Sequence, residues 1–366
     1  MLLFLVSFCA AAAMALIIVR SSRRHGRFSG DHDLSGPQKF HARPVPRVGG
    51  LAVVLGLACA FVVDDSNWLR QRSFDAMALT LLACGLPALL MGFAEDLTKR
   101  VRPLWRLLAA AVSGALGVWA LDATIARTDL WGLDALAASS VGAALLAVFV
   151  VAGIANAVNI IDGFNGLASM CVMLMLLAIA YVAYEVGDHS IVLLGLVGVG
   201  ATLGFFIWNF PAGLIFLGDG GAYFLGFYVA ELGILLISRN PRVSPLFPLL
   251  LSIYPVFETL FSMYRRRVLK GRAVGMPDGV HLHSLVYRRL LRWAVGREDA
   301  KALTQRSSMT APYLWLLCMM SVVPAVVFWD NSRVLGCFIV LFGVTYVVLY
   351  ARIVRFKTPR ALIVRR

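Results

Sequence analysis

The stretch SSVGAALLAVFVVAGIANAVNIIDGFNGLASMCVMLMLLAIAYVAY (139–184) decides the fold class of this chain. Its two apolar runs, 139–157 and 167–184, are each long enough to cross a hydrocarbon core of about 30 Å as a helix. The nine residues between them contain polar side chains and two glycines. The stretch therefore predicts two transmembrane helices joined by a tight polar turn.

The rest of the chain repeats this pattern. Its 366 residues are 60% hydrophobic and 15% charged, with a mean hydropathy of +0.80, which soluble domains do not approach. The apolar runs lie at 1–19, 48–63, 76–93, 105–121, 139–157, 167–184, 190–208, 214–237, 244–263, 312–329 and 334–351. The sequence predicts an all-α, polytopic integral membrane protein with about eleven transmembrane helices, as a single transmembrane domain over 1–366.

The basic residues predict the orientation of these helices. With an outside N-terminus and eleven crossings, 28 of the 34 Lys and Arg residues fall on the inside, 11 of them in the long loop 264–311. We therefore expect a multi-pass membrane protein with a basic cytoplasmic face. The net charge of +14 is typical of such a face beside anionic membrane lipid, and no nucleic-acid partner is expected.

Four polar residues recur at every third position across the turn in the opening stretch. Asn156, Asn159, Asp162 and Asn165 share one face for as long as the backbone stays helical. A lone asparagine in such a place is typical of a hydrogen bond between membrane helices. Four of them beside glycines indicate a binding site.

The other unusual segments fall at the same predicted end of the helices. They are HARPVPRVGG (41–50), GFAEDLTKR (92–100), FLGDGGAYFLG (216–226) and HLH (281–283). If eleven helices cross, each of these segments meets the cytoplasmic surface. The arrangement favours an active site at that surface over a pathway through the membrane.

The residue types in these segments indicate phosphate and metal chemistry. Asp219 is an acid among glycines at the mouth of an apolar run, which indicates a functional role. Glu95 and Asp96 are neighbouring acids that either hold a hydrated Mg²⁺, share a proton or lie solvated in a loop. His281 and His283 serve one site only if the backbone there is extended. Because the potential ligands are oxygens, Mg²⁺ is the expected cofactor, with Mn²⁺ as its substitute.

Taken in order, the segments resemble the signatures of a known family. RPVPRVGG, GFAEDLTKR, NAVNIIDGFNGLA, NFPAGLIFLGDGGAYFLG and HLHSL are similar to those of the polyprenyl-phosphate N-acetylhexosamine-1-phosphate transferases, over about residues 40 to 290. The resemblance implies transfer of a sugar 1-phosphate from a UDP-N-acetyl sugar to undecaprenyl phosphate, with release of UMP. Such an enzyme starts the synthesis of a lipid-linked glycan, such as O-antigen or another cell-surface polysaccharide.

The same resemblance implies roles for individual residues. Asp219 matches the family's Mg²⁺-binding aspartate, and Asn159 matches an asparagine close to the metal. The implied catalytic residues are Glu95, Asp96, Asp162, His281 and His283, with the histidines holding the donor phosphates. The implied substrate-binding residues are Asn156, Gly163, Asn165, Asn209, Phe216 and Arg43.

Three positions depart from the family pattern, and other functions stay open. Glu95 stands in place of the first of two aspartates, Asn165 in place of an aspartate, and Ser284 in place of a histidine. Whether Glu95 or Asp96 activates the lipid phosphate is therefore open. A transporter, a polyprenyl pyrophosphate phosphatase and an inactive relative are the alternatives. The sugar, the glycan pathway and a homodimer are also open.

Overall fold

The computed structural model describes residues 1–29, 44–63, 72–269, 281–290 and 300–355. Arg43 lies outside the described residues, so its predicted role in substrate binding stays a prediction. The helices are α1 (Leu2–Ser29), α2 (Gly49–Val63), α3 (Arg72–Thr98), α4 (Pro103–Leu121), α5 (Leu133–Ala137), α6 (Ser140–Ile161), α7 (Leu167–Val186), α8 (His189–Asn209), α9 (Gly218–Arg239), α10 (Leu246–Leu251), α11 (Ile253–Tyr264), α12 (Leu282–Leu285), α13 (Ala300–Val327) and α14 (Ser332–Val354).

The prediction of an all-α, polytopic membrane protein is confirmed, whereas the count of eleven spans is not. In the described part of the chain, nine helices are long and apolar enough to cross a membrane. Helix α2, over Gly49–Val63, is apolar but shorter than these nine. The predicted span 244–263 is divided into α10 and α11 at Ser252. Pro255 in the first turn of α11 has no N–H to continue a hydrogen-bond ladder from α10, which is a physical reason for the break.

Helix α9 lies at the centre of the bundle. Its residues from Gly218 to Ile237 are all buried. Helices α2, α3 and α6 approach it at glycines, since a Cβ atom added to Gly50, Gly92 or Gly226 would overlap backbone atoms of the facing helix. Small residues allow such close contact between membrane helices, where packing rather than water drives association. These contacts hold the ends of α2, α3 and α6 beside the start of α9.

The two ends of α9 lie in different polar clusters. Arg239, at its C-terminal end, forms an ion pair of 3.1 Å with Asp188 at the start of α8. Near the same end, Arg127 donates a hydrogen bond of 2.6 Å to the carbonyl of Val243. At the N-terminal end of α9, the predicted site segments come together. The structure therefore separates a site end of the bundle from an opposite end.

Candidate active site

Two arginines and two aspartates form the centre of the site. Asp219, at the second position of α9, accepts a hydrogen bond from Arg106 of α4 through its Oδ2 atom. Its Oδ1 atom lies 3.2 Å from Nη2 of Arg47, two residues before the start of α2. The Nε atom of Arg47 lies 3.5 Å from Oδ1 of Asp96 on α3. The segment before α2, the end of α3 and the starts of α4 and α9 therefore supply two basic and two acidic side chains to one cluster.

Asp96 holds the first turn of α9 in place. Its two carboxylate oxygens accept hydrogen bonds of 2.9 Å from the backbone N–H groups of Asp219 and Gly220. These N–H groups have no partner within their own helix, and a carboxylate at a helix N-terminus also interacts favourably with the helix dipole. Asp96 therefore positions Asp219 as well as contributing charge.

Glu95 has different surroundings from its neighbour. Its side chain is half-buried, and its Oε2 atom accepts a hydrogen bond of 2.7 Å from the N–H of Val101. This bond fixes the turn between α3 and α4. It therefore helps to position the start of α4, which contains Arg106. The structure thus brings Asp96 into the central cluster and ties Glu95 to the adjoining turn. A direct role of Glu95 in activating the acceptor stays a prediction.

The polar residues of the opening stretch line one side of this cluster. Asn159 donates a hydrogen bond of 3.1 Å from Nδ2 to Oδ1 of Asp219. One turn earlier, Asn156 accepts a bond of 3.0 Å from the hydroxyl of Tyr223. Asp162 follows the last residue of α6. Burial raises the pKa of Asp162 to about 7, while Arg47 and the N–H of Gly218 act to lower it. A carboxyl with this pKa can exchange a proton near neutral pH.

The two histidines lie on one face, as the prediction required for a shared site. His281 precedes α12 with an extended backbone, φ −62° and ψ 154°, and its ring stacks on that of His283 at 5.1 Å. His283 also contacts the ring of Phe164, which follows Asp162 and Gly163, at 5.4 Å. Burial lowers the pKa of His283 to about 3, and the adjacent His281 adds to this lowering. The ring of His283 is therefore neutral at pH 7.

Four of the predicted substrate-binding residues are close in space, but two of these four have partners within the protein. Asn209 accepts from the N–H of Gly166 at 2.6 Å and donates to the carbonyl of Ile215 at 2.7 Å, so its amide joins two loops. Asn165 donates a bond of 3.1 Å to the hydroxyl of Ser308 on α13. Gly163 lies beside His283. Phe216 is half-buried, and its backbone pairs with Pro46 and Gly49 on the segment that contains Arg47. Their contact with a nucleotide stays a prediction.

Arg47 and Arg106 are site residues that the sequence reasoning missed. Arg47 stands in the same motif as Arg43, the arginine that the prediction named. Arg106 is a charge inside the predicted span 105–121, and such a charge usually indicates function. The position of Arg106 inside an apolar run, and not only its charge, is therefore the feature that could have identified it as a site residue.

The chemistry of the cluster fits a hydrated Mg²⁺ better than a fully enclosed metal. Among the described residues, no three acidic, histidine or cysteine side chains are grouped as a metal cage. Mg²⁺ commonly takes one or two carboxylates and completes its shell with water and substrate phosphates. Asp219, with the amide of Asn159 beside it, supplies ligands of this oxygen type.

Comparison with known proteins agrees with this arrangement. Residues 78–237 match the model of glycosyl transferase family 4, a range that includes Asp96, Arg106, Asn159 and Asp219. The chain is 27% identical over 314 residues to a probable undecaprenyl-phosphate N-acetylglucosaminyl 1-phosphate transferase of Bacillus subtilis (strain 168), covering 77% of each protein.

Two further relatives have similar names. The chain is 27% identical over 261 residues to the undecaprenyl-phosphate alpha-N-acetylglucosaminyl 1-phosphate transferase of Thermotoga maritima, covering 71% of this chain and 74% of that protein. It is 28% identical over 327 residues to the decaprenyl-phosphate N-acetylglucosaminephosphotransferase of Mycolicibacterium smegmatis, covering 82% and 77%. These matches bear out the resemblance predicted from the motifs, which is to the polyprenyl-phosphate N-acetylhexosamine-1-phosphate transferases.

Proposed function

We propose that this protein transfers a sugar 1-phosphate from a UDP-N-acetyl sugar to undecaprenyl phosphate at the cytoplasmic face of the bacterial inner membrane. The observation that carries the proposal is the cluster of Arg47, Arg106, Asp96 and Asp219 at one end of an apolar helix bundle. Such a cluster suits a reaction between two phosphate-bearing substrates, one of which is a membrane lipid. The names of the three relatives describe the same class of transfer.

The reaction needs charge neutralisation and alignment more than elaborate proton transfer. An oxygen of the acceptor phosphate forms a bond to the sugar-bearing phosphorus of the donor, and the bond from that phosphorus to the bridging oxygen breaks. The electron pair leaves with UMP. Arg47 and Arg106 are the charged donors that stabilise the developing negative charge, and Asp162 is placed to take or release a proton.

Asp219 and Asn159 are the residues that would hold Mg²⁺. When bound, this ion would act as a Lewis acid on the donor's phosphate oxygens. The role of Asp96 is to fix Asp219 through the first turn of α9.

A groove beside the cluster suits the apolar tail of the acceptor. It has a volume of about 390 Å³ and lies between α3 and α4. Its wall consists of Pro87, Leu90, Met91, Ala94, Trp105, Leu108, Ala109 and Val112. Trp105 directly precedes Arg106, and Ala94 directly precedes Glu95, so one end of the groove adjoins the charged site. We place the first isoprenoid units of undecaprenyl phosphate in this groove.

Filling the groove should weaken the use of long acceptors. We expect Leu108→Trp to raise the apparent KM for undecaprenyl phosphate about tenfold, which corresponds to about 1.4 kcal/mol of binding free energy. The neighbouring Leu107→Trp is the matched control, because Leu107 is similarly exposed but does not line the groove. The measurement is UMP release at varied acceptor concentration in detergent. Equal KM values for the two variants would place the tail elsewhere.

The test of the function as a whole is a donor panel. Membranes containing the protein are incubated with undecaprenyl phosphate, Mg²⁺ and UDP-GlcNAc, UDP-GalNAc or dideoxy N-acetyl sugars such as UDP-FucNAc and UDP-QuiNAc. We expect UMP and a lipid pyrophosphate sugar from at least one donor. A polyprenyl pyrophosphate phosphatase would release inorganic phosphate without UMP, and a transporter or an inactive relative would release neither.

The proposed orientation is tested separately. Because α13 begins at Ala300, within the predicted loop 264–311, single cysteines are placed at 265–299 in a variant without the six native cysteines. They should react with a membrane-impermeant thiol reagent only after the cells are opened. Cysteines in 122–138 should react in intact cells. Labelling of the 264–311 loop from outside would contradict a cytoplasmic active site.

A further inference from the structure

Glu258 on α11 is a buried acid to which the proposed reaction assigns no role. Its side chain is about 1% exposed, on the helix that follows the break at Ser252. Burying a carboxylate is unfavourable unless charged or hydrogen-bonding partners surround it. The partners of Glu258 therefore indicate what it does.

Three groups converge on this carboxylate. Nδ1 of His281 lies 2.9 Å from Oε1, and the N–H of Leu282 donates to the same oxygen at 3.2 Å. The hydroxyl of Tyr346, on α14, donates to Oε2 at 2.7 Å. Both oxygens are thus engaged, and each partner belongs to an element other than α11. The carboxylate fixes the start of α12, where the histidine pair begins.

The contact at Nδ1 determines how His281 can act. A carboxylate at Nδ1 keeps the proton on that nitrogen, which leaves Nε2 as the nitrogen available for a substrate. Nε2 is then the nitrogen that can accept a hydrogen bond or a proton from a substrate.

The two stacked histidines differ in the surroundings of their Nδ1 atoms. With ring centroids 5.1 Å apart, two positive rings would repel each other. His283 has a buried Nδ1 atom without a hydrogen-bond partner in the described part of the chain, and its pKa is lowered to about 3 by burial. His281 therefore has a carboxylate partner at Nδ1, whereas the ring of His283 is neutral.

We propose that Glu258, supported by Tyr346, is the positioning residue that holds the proton of His281 on Nδ1 and orients its Nε2 atom toward the donor substrate. The inference rests on the proposed function, because it concerns the donor site of that reaction. It also brings α14, which lies outside the matched family range 78–237, into the active site. Two further titratable side chains, Tyr254 on α11 and His283 on α12, lie close to Glu258.

The first test is a pH–rate profile of UMP release. Glu258→Gln keeps the shape and the hydrogen-bond acceptor but removes the charge, so we expect a loss of about 10- to 100-fold, typical of removing the partner of a functional histidine. The loss should depend on pH, whereas a packing defect lowers activity equally at every pH. Tyr346→Phe should produce a smaller loss of the same kind.

Glu231→Gln is the matched control for a buried glutamate. Glu231 lies on α9, is about 1% exposed, and faces Gly117 of α4 rather than the histidines. We expect this variant to keep the wild-type pH profile. If Glu258→Gln and Glu231→Gln lose activity equally at every pH, Glu258 contributes to packing alone and the proposal is wrong.

The second test asks whether Glu258 acts through His281. In a His281→Asn background, Glu258→Gln should change the residual UMP release less than twofold, because coupled residues are not additive. Full additivity would overturn the proposal.

A third measurement does not depend on enzymatic activity. In protein labelled with ¹⁵N-histidine, the signal missing from His281→Asn identifies His281, and the population of its Nδ1-protonated tautomer relative to the Nε2-protonated one should be lower in Glu258→Gln than in wild type. An unchanged population would overturn the proposal even if the transferase reaction is confirmed. Conversely, absence of UMP release from the wild-type protein with every donor would refute the proposed function. The NMR comparison would still show whether Glu258 holds the proton on Nδ1 of His281.

Discussion

Asp219→Asn is expected to reduce Mg²⁺-dependent UMP release by about 1,000-fold, the upper range for loss of one preorganised charged group in an active site. The substitution keeps the size of the side chain and its hydrogen bond to Asn159 but removes the negative charge that both arginines contact. A hard cation loses an anionic oxygen ligand in the same step. The measurement is initial UMP release at several Mg²⁺ concentrations.

The chain offers a closely matched control for this substitution. Asp188 is also an acid at the start of a helix with an arginine partner, at 3.1 Å from Arg239, but it lies at the opposite end of the bundle. Asp188→Asn should keep wild-type turnover and the same Mg²⁺ dependence. Wild-type turnover in Asp219→Asn at limiting Mg²⁺ would remove Asp219 from the metal site.

Arg106→Gln is expected to lower turnover by about 100-fold, because one preorganised donor is lost from a site where negative charge develops. Arg106 contacts Asp219, and its guanidinium lies 5.9 Å from the ring centroid of Tyr223. Its Nε atom is buried and has no hydrogen-bond partner in the described part of the chain. Arg106→Lys should retain partial activity, since lysine keeps the charge but not the planar fork of donors.

Arg239→Gln is the corresponding control, because it removes the arginine of the matched pair at the far end of α9. Both glutamine variants are compared for yield, thermal unfolding in detergent and UMP release. If Arg106→Gln and Arg239→Gln are equally active, Arg106 only balances the charge of Asp219. If Arg106→Gln is inactive but melts like Arg239→Gln, the loss lies in the reaction.

The fold class was predictable because apolar run length and charge asymmetry are properties of the sequence itself. The break at Ser252 was not, because 244–263 has the composition of a continuous span. Whether such a segment forms one helix or two depends on how Pro255 and its neighbours pack. The segment that forms α2 likewise has the composition of an ordinary apolar run. The sequence therefore could not establish whether this short helix adds to the number of membrane crossings.

The candidate site was predictable where a short motif supplies the residue and less so where distant segments meet. Asp219, Asn159 and Asp96 stand in recognisable patterns, and the structure brings them together. Arg106 comes from a helix with no motif of its own, and its role depends on the approach of α4 to α9. Tyr346 lies 65 residues after His281 along the chain and reaches Glu258 only through the packing of α14.

The complete burial of Gly218–Ile237 has a consequence for how the bilayer acts on this protein. Since α9 is enclosed by other helices, lipids adjoin the surrounding shell and not the helix that begins with Asp219. Changes in bilayer thickness alter the tilt of lipid-facing helices at modest free-energy cost. Helices α1, α4 and α14 are the ones exposed to such changes, because only 28% of the residues in their apolar 18-residue stretches are buried. The surrounding helices thus separate Asp219 from lipid, whereas its partner Arg106, as part of α4, is the site residue most directly subject to lipid composition.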